Sequence, residues 1–145
     1  MKSGEIMNFN SIEQALAFIQ NTIVPQVLET TVADVAKETM ERHIQEDVLD
    51  AYAPTSYERT GLLQKSCETT MISNNTLELK NTREENGKDI VSTIEYGTDY
   101  YTKELDERIG ARPFTERTKE ELSSGLARQA IVEGLEAILG KGSVV

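Results

Sequence analysis

Several residue types that mark particular protein classes are scarce in this sequence. The 145-residue chain contains one cysteine, one histidine and no tryptophan, and aromatic residues make up 6% of it. A single cysteine excludes an internal disulfide bond and is typical of a reducing compartment. One histidine and one cysteine are too few for a zinc site of the usual composition. We therefore expect a domain held together by an ordinary apolar core, which a chain of this length can form.

Long apolar runs and an excess of positive charge are also missing. No run approaches the ~20 apolar residues of a membrane-spanning helix, and Met1 to Phe9 lacks the apolar segment of a signal peptide. Lys and Arg number 15 against 25 Asp and Glu, which gives a net charge of −10. So acidic a chain repels phosphate, which argues against generic binding of nucleic acid or of an anionic membrane.

A long amphipathic helix is predicted for the N-terminal part of the chain. Ser11 and Gln14 have the spacing of a capping box at its start, and Pro25 is expected to kink or break it. From there on, apolar residues occupy every fourth position: Val24, Leu28, Val32, Ala36, Met40, Ile44 and Val48. Since four residues turn an α-helix by about 400°, the stripe drifts around the axis. We expect the two ends of this helix to pack on different elements.

The remaining periodicity predicts an α+β fold. Short connections favour antiparallel pairing of three extended segments: Ser66–Ile72, Thr76–Thr82 and Asp89–Tyr96. A last helix is predicted to begin near Phe114 to Thr118, with a second capping box formed by Thr118 and Glu121, and to run to Leu139, ending at Gly140. The predicted architecture is a long N-terminal helix, an antiparallel meander of three to four strands and a C-terminal helix packed on the sheet. In domain terms, we expect a flexible lead-in over residues 1–10, a single domain over 11–140 and a flexible tail over 141–145.

Residues that could carry chemistry are few and poorly placed. His43 lies in the middle of a predicted helix without a marked nucleophile, so we interpret it as structural or solvent-facing. Cys67 follows Ser66 at the start of a strand and fits a small buried residue better than a reactive thiolate. Neighbouring carboxylates arise by chance in so acidic a chain and favour a solvated surface. The sequence therefore predicts no catalytic, cofactor-binding or metal-binding residue.

Two stretches become specific when they are read together. The first is Ala53-Pro54 followed by Arg59-Thr60-Gly61-Leu62-Leu63-Gln64-Lys65-Ser66. The second is Ile94-Glu95-Tyr96-Gly97-Thr98 and then, after a loop, Gly110-Ala111-Arg112-Pro113-Phe114. In this order, the chain resembles the tail-completion or head–tail joining family of long-tailed bacteriophages and prophages over residues 30–139. Thr55 to Arg59 are inserted relative to the family pattern, which leaves a tail terminator as an alternative.

The resemblance implies a structural virion protein without enzymatic activity or cofactor. Such a protein sits at the neck of the virion after assembly in the host cytoplasm. Its partners would be other copies of itself in a ring, usually a hexamer, together with tail tube or terminator and head-connector proteins. DNA would pass through the ring without being specifically bound, and no membrane is involved. The residues implied in structure or interfaces are Arg59, Thr60, Gly61, Leu62, Ser66, Glu95, Tyr96, Gly97, Thr98, Arg112, Pro113 and Phe114.

Elementary chemistry gives these motif residues local roles of their own. Gly61 and Gly97 allow backbone bends that a Cβ atom would oppose. Phe114 is expected to be an apolar anchor of the last helix. Arg59, Arg112 and the loop from Thr98 to Ile109 are expected to contact other subunits or partners. A function of another class stays open: a small acidic phage-encoded regulator or inhibitor of a host nucleic-acid enzyme, whose negative charge would mimic nucleic acid.

Overall fold

A computed structural model of the chain describes residues 8–51, 60–97 and 111–140. Most of the expected lead-in, the expected tail, and the loop from Thr98 to Ile109 lie outside the described residues. By their contacts, the described residues form two compact units. The first unit comprises the residues up to Ala36, Thr69–Leu79 and those from Leu122 onwards, and the second comprises Lys37–Glu68 and Lys80–Glu121. The expectation of a single domain stays a prediction.

The N-terminal helix begins at Ile12 and ends at Leu49. Its α-helical and π-helical segments alternate: α1 (Ile12–Phe18), π1 (Ile19–Ile23), α2 (Val24–Val27), π2 (Leu28–Val32), α3 (Ala33–His43) and π3 (Ile44–Leu49). The predicted capping box is confirmed, because Ser11 Oγ accepts from the N–H of Gln14 at 3.1 Å. Gln14 Oε1 reaches back and accepts from the N–H of Asn10 at 2.8 Å.

The helix continues through Pro25, so the predicted break is wrong. Ile23 and Val24 both keep right-handed helical dihedrals, and Pro25 stands in the first turn of α2. A proline inside an α-helix clashes with the carbonyl four residues earlier. Here the preceding turn is π-helical, with the N–H of Val24 donating to the carbonyl of Ile19. The longer hydrogen-bonded turn accommodates the proline while the helix continues.

The buried stripe of the helix changes register once. From Val32 to Val48 the predicted every-fourth positions are buried, as expected, at Val32, Ala36, Met40, Ile44 and Val48. Upstream, the buried residues are Ile23 and Val27, whereas Val24 and Leu28 are only half-buried. The five-residue step from Val27 to Val32 coincides with π2, in which the N–H of Ala33 donates to the carbonyl of Leu28. One additional residue in this turn corrects the drift that a strict four-residue stripe would accumulate.

The rest of the described chain contains short helices, two hairpins and a C-terminal helix. The elements are α4 (Leu62–Lys65), β1 (Cys67–Ser73), β2 (Thr76–Asn81), β3 (Glu84–Glu85), β4 (Lys88–Asp89), α5 (Ile90–Tyr96), α6 (Phe114–Glu121), π4 (Leu122–Leu126) and α7 (Ala127–Leu139). The first two predicted strands are confirmed as β1 and β2, and the α+β class is confirmed. The single meander is wrong, because the strands form two separate two-stranded sheets, β1–β2 and the antiparallel pair β3–β4.

The third predicted strand, Asp89–Tyr96, is a helix in the structure. Its alternating β-branched residues suggested a strand, but Asp89 acts as an N-cap and its carboxylate accepts from the N–H of Ser92 at 3.1 Å. The hydroxyl of Ser92 donates to the same carboxylate at 2.6 Å. These bonds lower the pKa of Asp89. Local capping therefore outweighs the strand preference of the residues that follow.

The last predicted helix is two helices in the structure. π4 lies between α6 and α7, and its Gly125 has a φ of +136°, outside the helical region. α7 ends at Leu139 and Gly140 follows, as predicted. The predicted capping box at Thr118 is wrong, because Thr118 lies inside α6, where its buried hydroxyl donates to the carbonyl of Phe114 at 2.7 Å.

The two ends of the N-terminal helix contact different elements, as expected. In the first unit, α2 and π2 pack against α7 around a core of Ile23, Val27, Val32 and Ala130. In the second unit, π3 contacts α4 and α6, and the buried residues include Met40, Ile44, Cys67 and Phe114. Among the described residues, no helix combines the length and the apolar character needed to cross a membrane.

Gly134 lies where α7 approaches the N-terminal helix closely. A Cβ atom built on it would lie 2.7 Å from Val27 Cγ1 and 3.2 Å from Thr31 Cβ. Val27 is buried and stiff at χ1, so it has little room to move away. The absence of a side chain at position 134 therefore lets α7 pack directly on the N-terminal helix.

We predict that Gly134→Ala lowers the free energy of unfolding by about 1 kcal/mol. Overpacking costs about 1–3 kcal/mol, and the better helix propensity of alanine offsets about 1 kcal/mol of it. Chemical denaturation measures the change, with Glu133→Ala on the exposed side of the same turn as the control. In the Val27→Ala background the penalty should vanish; an equal penalty in both backgrounds would contradict the proposed clash.

Candidate functional site

The first motif stretch forms a helical turn fastened to a hairpin. Gly61 has a φ of +73°, so the predicted backbone bend is confirmed, and it opens the short helix α4. Thr60 Oγ1 accepts from the N–H of Leu62 at 3.4 Å. The Ser66 hydroxyl donates to the carbonyl of Leu62 at 2.6 Å, and the Ser66 carbonyl accepts from the N–H of Thr82. Thr60, Gly61, Leu62 and Ser66 are thus joined in one structural turn, with Leu62 partly exposed.

The second motif stretch is closed by a carboxylate. Glu95 lies in α5, and its two carboxylate oxygens accept from the N–H groups of Thr115 and Glu116, each at 3.0 Å. These N–H groups belong to the first turn of α6, where backbone N–H groups find no acceptor within the helix. A carboxylate at this helix end also interacts favourably with the helix dipole. Glu95, in the first half of the second motif stretch, therefore caps the helix that begins in the second half.

A backbone hydrogen bond also joins α5 to the segment before α6; we call this contact, together with the Glu95 cap, the junction. The N–H of Arg112 donates to the carbonyl of Ile94 at 2.8 Å. Pro113 precedes the first residue of α6 and provides a carbonyl for the N–H of Arg117. Phe114 is completely buried, so its predicted role as an apolar anchor is confirmed.

Tyr96 and Gly97 lie at the end of a helix, whereas the sequence predicted them at the end of a strand. Gly97 has a φ of +77° and ends α5, so its bend terminates a helix instead of a strand. Tyr96 is 79% exposed and does not pack. Arg59 and Thr98 lie outside the described residues, and their expected partner contacts stay predictions.

A charged cluster around His43 was missed by the sequence analysis. His43 Nδ1 lies 2.7 Å from Asp47 Oδ2, and Nε2 lies 2.6 Å from Glu121 Oε2. Arg42 also contacts Glu121, and Arg117 Nη1 lies 3.2 Å from Asp47 Oδ1. The side chains of His43 and Asp47 are each 12% exposed. The cluster joins the C-terminal end of the long helix to α6, and His43 is largely buried in it, so it does not face the solvent.

Only part of this cluster could be found from sequence. His43 and Asp47 are separated by four positions in the sequence, and so are Arg42 and Glu46. The distance from Arg42 Nη1 to Glu46 Oε2 is 3.3 Å. Such spacing indicates neighbours on one helix face. Glu121 lies far away in sequence, and no local pattern connects it with His43.

The electrostatics of the cluster stabilise the charged form of Glu121. The hydrogen bond from Arg42 and then that from His43 lower the pKa of the Glu121 carboxyl. In return, the hydrogen bond to Glu121 raises the pKa of Arg42. Both groups are partly exposed, so water screens this pair and its contribution to stability is modest.

The geometry of the cluster does not resemble a catalytic or metal-binding arrangement. Both ring nitrogens of His43 face carboxylates, so neither is directed at a hydroxyl or thiol nucleophile. Asp47 and Glu121 lie on opposite sides of the imidazole ring, so one metal ion could not contact a single ring nitrogen and both carboxylates. Within residues 8–51, 60–97 and 111–140, no group of three or more His, Cys, Asp or Glu side chains is placed to hold a metal ion.

Cys67 is buried, as predicted. Its sulfur accepts from Asn81 Nδ2 at 3.5 Å, and the same amide donates to the carbonyl of Leu63 at 2.6 Å. Burial raises the pKa of the Cys67 thiol, which disfavours the reactive thiolate. Asn81 therefore joins α4 to the hairpin.

Comparison with known proteins places the chain in a family. The model of the YomN family matches residues 8–139. The SPbeta prophage-derived uncharacterized protein YomN of Bacillus subtilis (strain 168) is 34% identical over 131 residues, covering 88% of this chain and 94% of that protein. No solved structure matches the chain. The chain belongs to the YomN family.

Loss of the Glu95 cap should destabilise the protein. Glu95→Ala is expected to lower the free energy of unfolding by about 1 kcal/mol, the usual cost of a lost helix cap. Glu116→Ala is the matched control, because Glu116 is an exposed carboxylate in the same first turn whose side chain caps nothing. Chemical denaturation of both variants measures the effect, and equal losses would contradict the capping role.

The stabilisation by the ionised Glu121 carboxylate should depend on pH. Its folded pKa is lowered, so its stabilisation is present above the unfolded pKa of about 4.3 and is lost as pH falls through the folded value. We expect Glu121→Gln to be less stable than wild type by at most about 1 kcal/mol at neutral pH. This difference should shrink in acid.

The control for this measurement is Glu120→Gln, an exposed neighbour in the same helix. Its difference from wild type should stay small across the same pH range. If the Glu121→Gln difference did not change between neutral and acidic pH, the charged contacts would not be its cause.

Proposed function

We propose that this protein is a structural virion component of a tailed phage or prophage that completes the tail and joins it to the head. In this proposal it acts without enzymatic activity, as one subunit of a ring at the neck. The resemblance of its two motif stretches to the tail-completion family carries the proposal. The prophage origin printed for its Bacillus subtilis relative supports a phage context.

The connection between the motifs gives the proposal a structural basis. Glu95 of the first half of the second stretch caps α6, which begins at Phe114 of the other half. The two halves are separated by a loop, so their joint presence in the sequence reflects one physical unit. A unit of this kind would hold the ends of that loop at fixed positions, which suits a loop that contacts a neighbouring virion protein.

The charge of the chain is compatible with a channel for DNA. A net charge of −10 repels phosphate, so a ring of such subunits would not hold the passing DNA. We propose that the partners are other copies of the chain in a hexameric ring, a tail tube or terminator protein and a head connector. The protein would reach the neck after assembly in the host cytoplasm.

A stop codon early in the gene tests this function in the native phage or induced prophage. We expect DNA-filled heads beside unattached tails in negative-stain electron micrographs of the lysate, and wild-type protein supplied in trans should restore whole particles. Abnormally long tails would instead identify a tail terminator. Intact infectious particles would refute the virion role and favour the regulator of a host enzyme.

Two variants supplied in trans test whether the Glu95 cap matters for this function. Glu116→Ala should restore as many whole particles as wild type does. Glu95→Ala should restore fewer whole particles, because α5 and α6 on either side of the expected loop would be held together less firmly.

A further inference from the structure

One face of the N-terminal helix is apolar and exposed. Ile12, Leu16 and Ile19 follow a four-then-three spacing, which places them on one side, and Ile12 and Leu16 are 76% and 51% exposed. The next residue of this spacing, Ile23, is completely buried in the core of the first unit. The spacing is that of a seam between two packed helices. The inner end of the seam is covered by the protein itself and the outer end is not.

The same face carries no charge. From Gln14 to Leu28 the sequence contains no Asp, Glu, Lys or Arg, whereas 28% of the whole chain is charged. Depletion of charge distinguishes the centre of protein interfaces from the rest of a protein surface. Between Lys2 and Lys37 there is also no basic residue, which disfavours an anionic membrane as the partner.

An uncharged cleft adjoins this apolar face. Gln20 lies one turn beyond Leu16, and with Asn21 and Val24 it forms one wall of the cleft. The turn between β1 and β2, Ser73 to Asn75, forms the other wall. Asn74 Nδ2 donates to Asn21 Oδ1 at 3.4 Å and so ties the two walls together. We call Ile12, Leu16, Ile19, Gln20 and Asn21 the neutral face.

We infer that the neutral face docks a second copy of this chain, in a two-fold pair of N-terminal helices. Apolar side chains and amides, which each carry donors and an acceptor, are complementary to an identical set. A charged face would repel its own copy. Two copies with a net charge of −10 repel each other elsewhere, and this face avoids like-charge contact. The pair is a separate proposal from the ring at the neck.

A charge-swap experiment on the purified full chain tests the pair. Wild type should dimerise at micromolar concentration in analytical ultracentrifugation. Leu16→Glu and Leu16→Lys should each weaken dimerisation by about tenfold or more, because each places like charges in the interface. An equimolar mixture of the two variants should regain dimers, which also shows that both variants are folded.

Leu139→Glu and Leu139→Lys are the matched controls, since Leu139 is a helical leucine of the same unit with 48% exposure. They should dimerise like wild type. A monomeric wild type, Leu16 variants that dimerise normally, or a mixture that fails to regain dimers would each overturn the inference. The phage experiment above is unaffected by these outcomes, so the two proposals fail separately.

Discussion

The contact between the Glu95 carboxylate and the first turn of α6 organises the second unit. Two otherwise unpaired N–H groups find acceptors there, and the helix dipole favours the negative charge. Because the carboxylate comes from α5, the start of α6 is fixed by a residue that lies 20 positions before Thr115 in the chain. Phe114 is then held in the core, and α6 places Arg117 and Glu121 beside the end of the long helix.

The charged cluster and the neutral face show two different uses of polar residues. Around His43, the arginines Arg42 and Arg117 face the carboxylates of Glu121 and Asp47 across two helical segments, so the contact is specific for its own partners within the chain. On the neutral face, amides and apolar groups replace charge from Gln14 to Leu28. The first arrangement joins α6 to the long helix at a modest gain in stability. The second leaves a surface that another molecule can cover without burying an unpaired charge.

Local signals were predictable and distant ones were not. The Ser11 cap, the bend at Gly61, the end at Gly140 and the burial of Phe114 all follow from short-range chemistry. The segment Asp89–Tyr96 was misread as a strand, because the cap at Asp89 outweighed its β-branched residues. The Glu95 cap and the contact of Glu121 with His43 join residues far apart in sequence, so no periodicity could indicate them.

The π-helical turn at Leu28–Val32 is a place where the helix can gain or lose one residue. Each residue turns an α-helix by about 100°, so an extra residue in a regular α-helical turn would rotate all upstream side chains by that angle. The wider π-helical turn absorbs the extra residue instead, and Val27 and Val32 are both buried although they are five positions apart. Deleting one residue here would leave the four-residue step of an ordinary α-helix and would keep Ile23 and Val27 on the core side. In the evolution of this fold, a one-residue insertion or deletion is therefore expected to be tolerated in this turn, whereas the same change elsewhere in the helix would move core residues out of place.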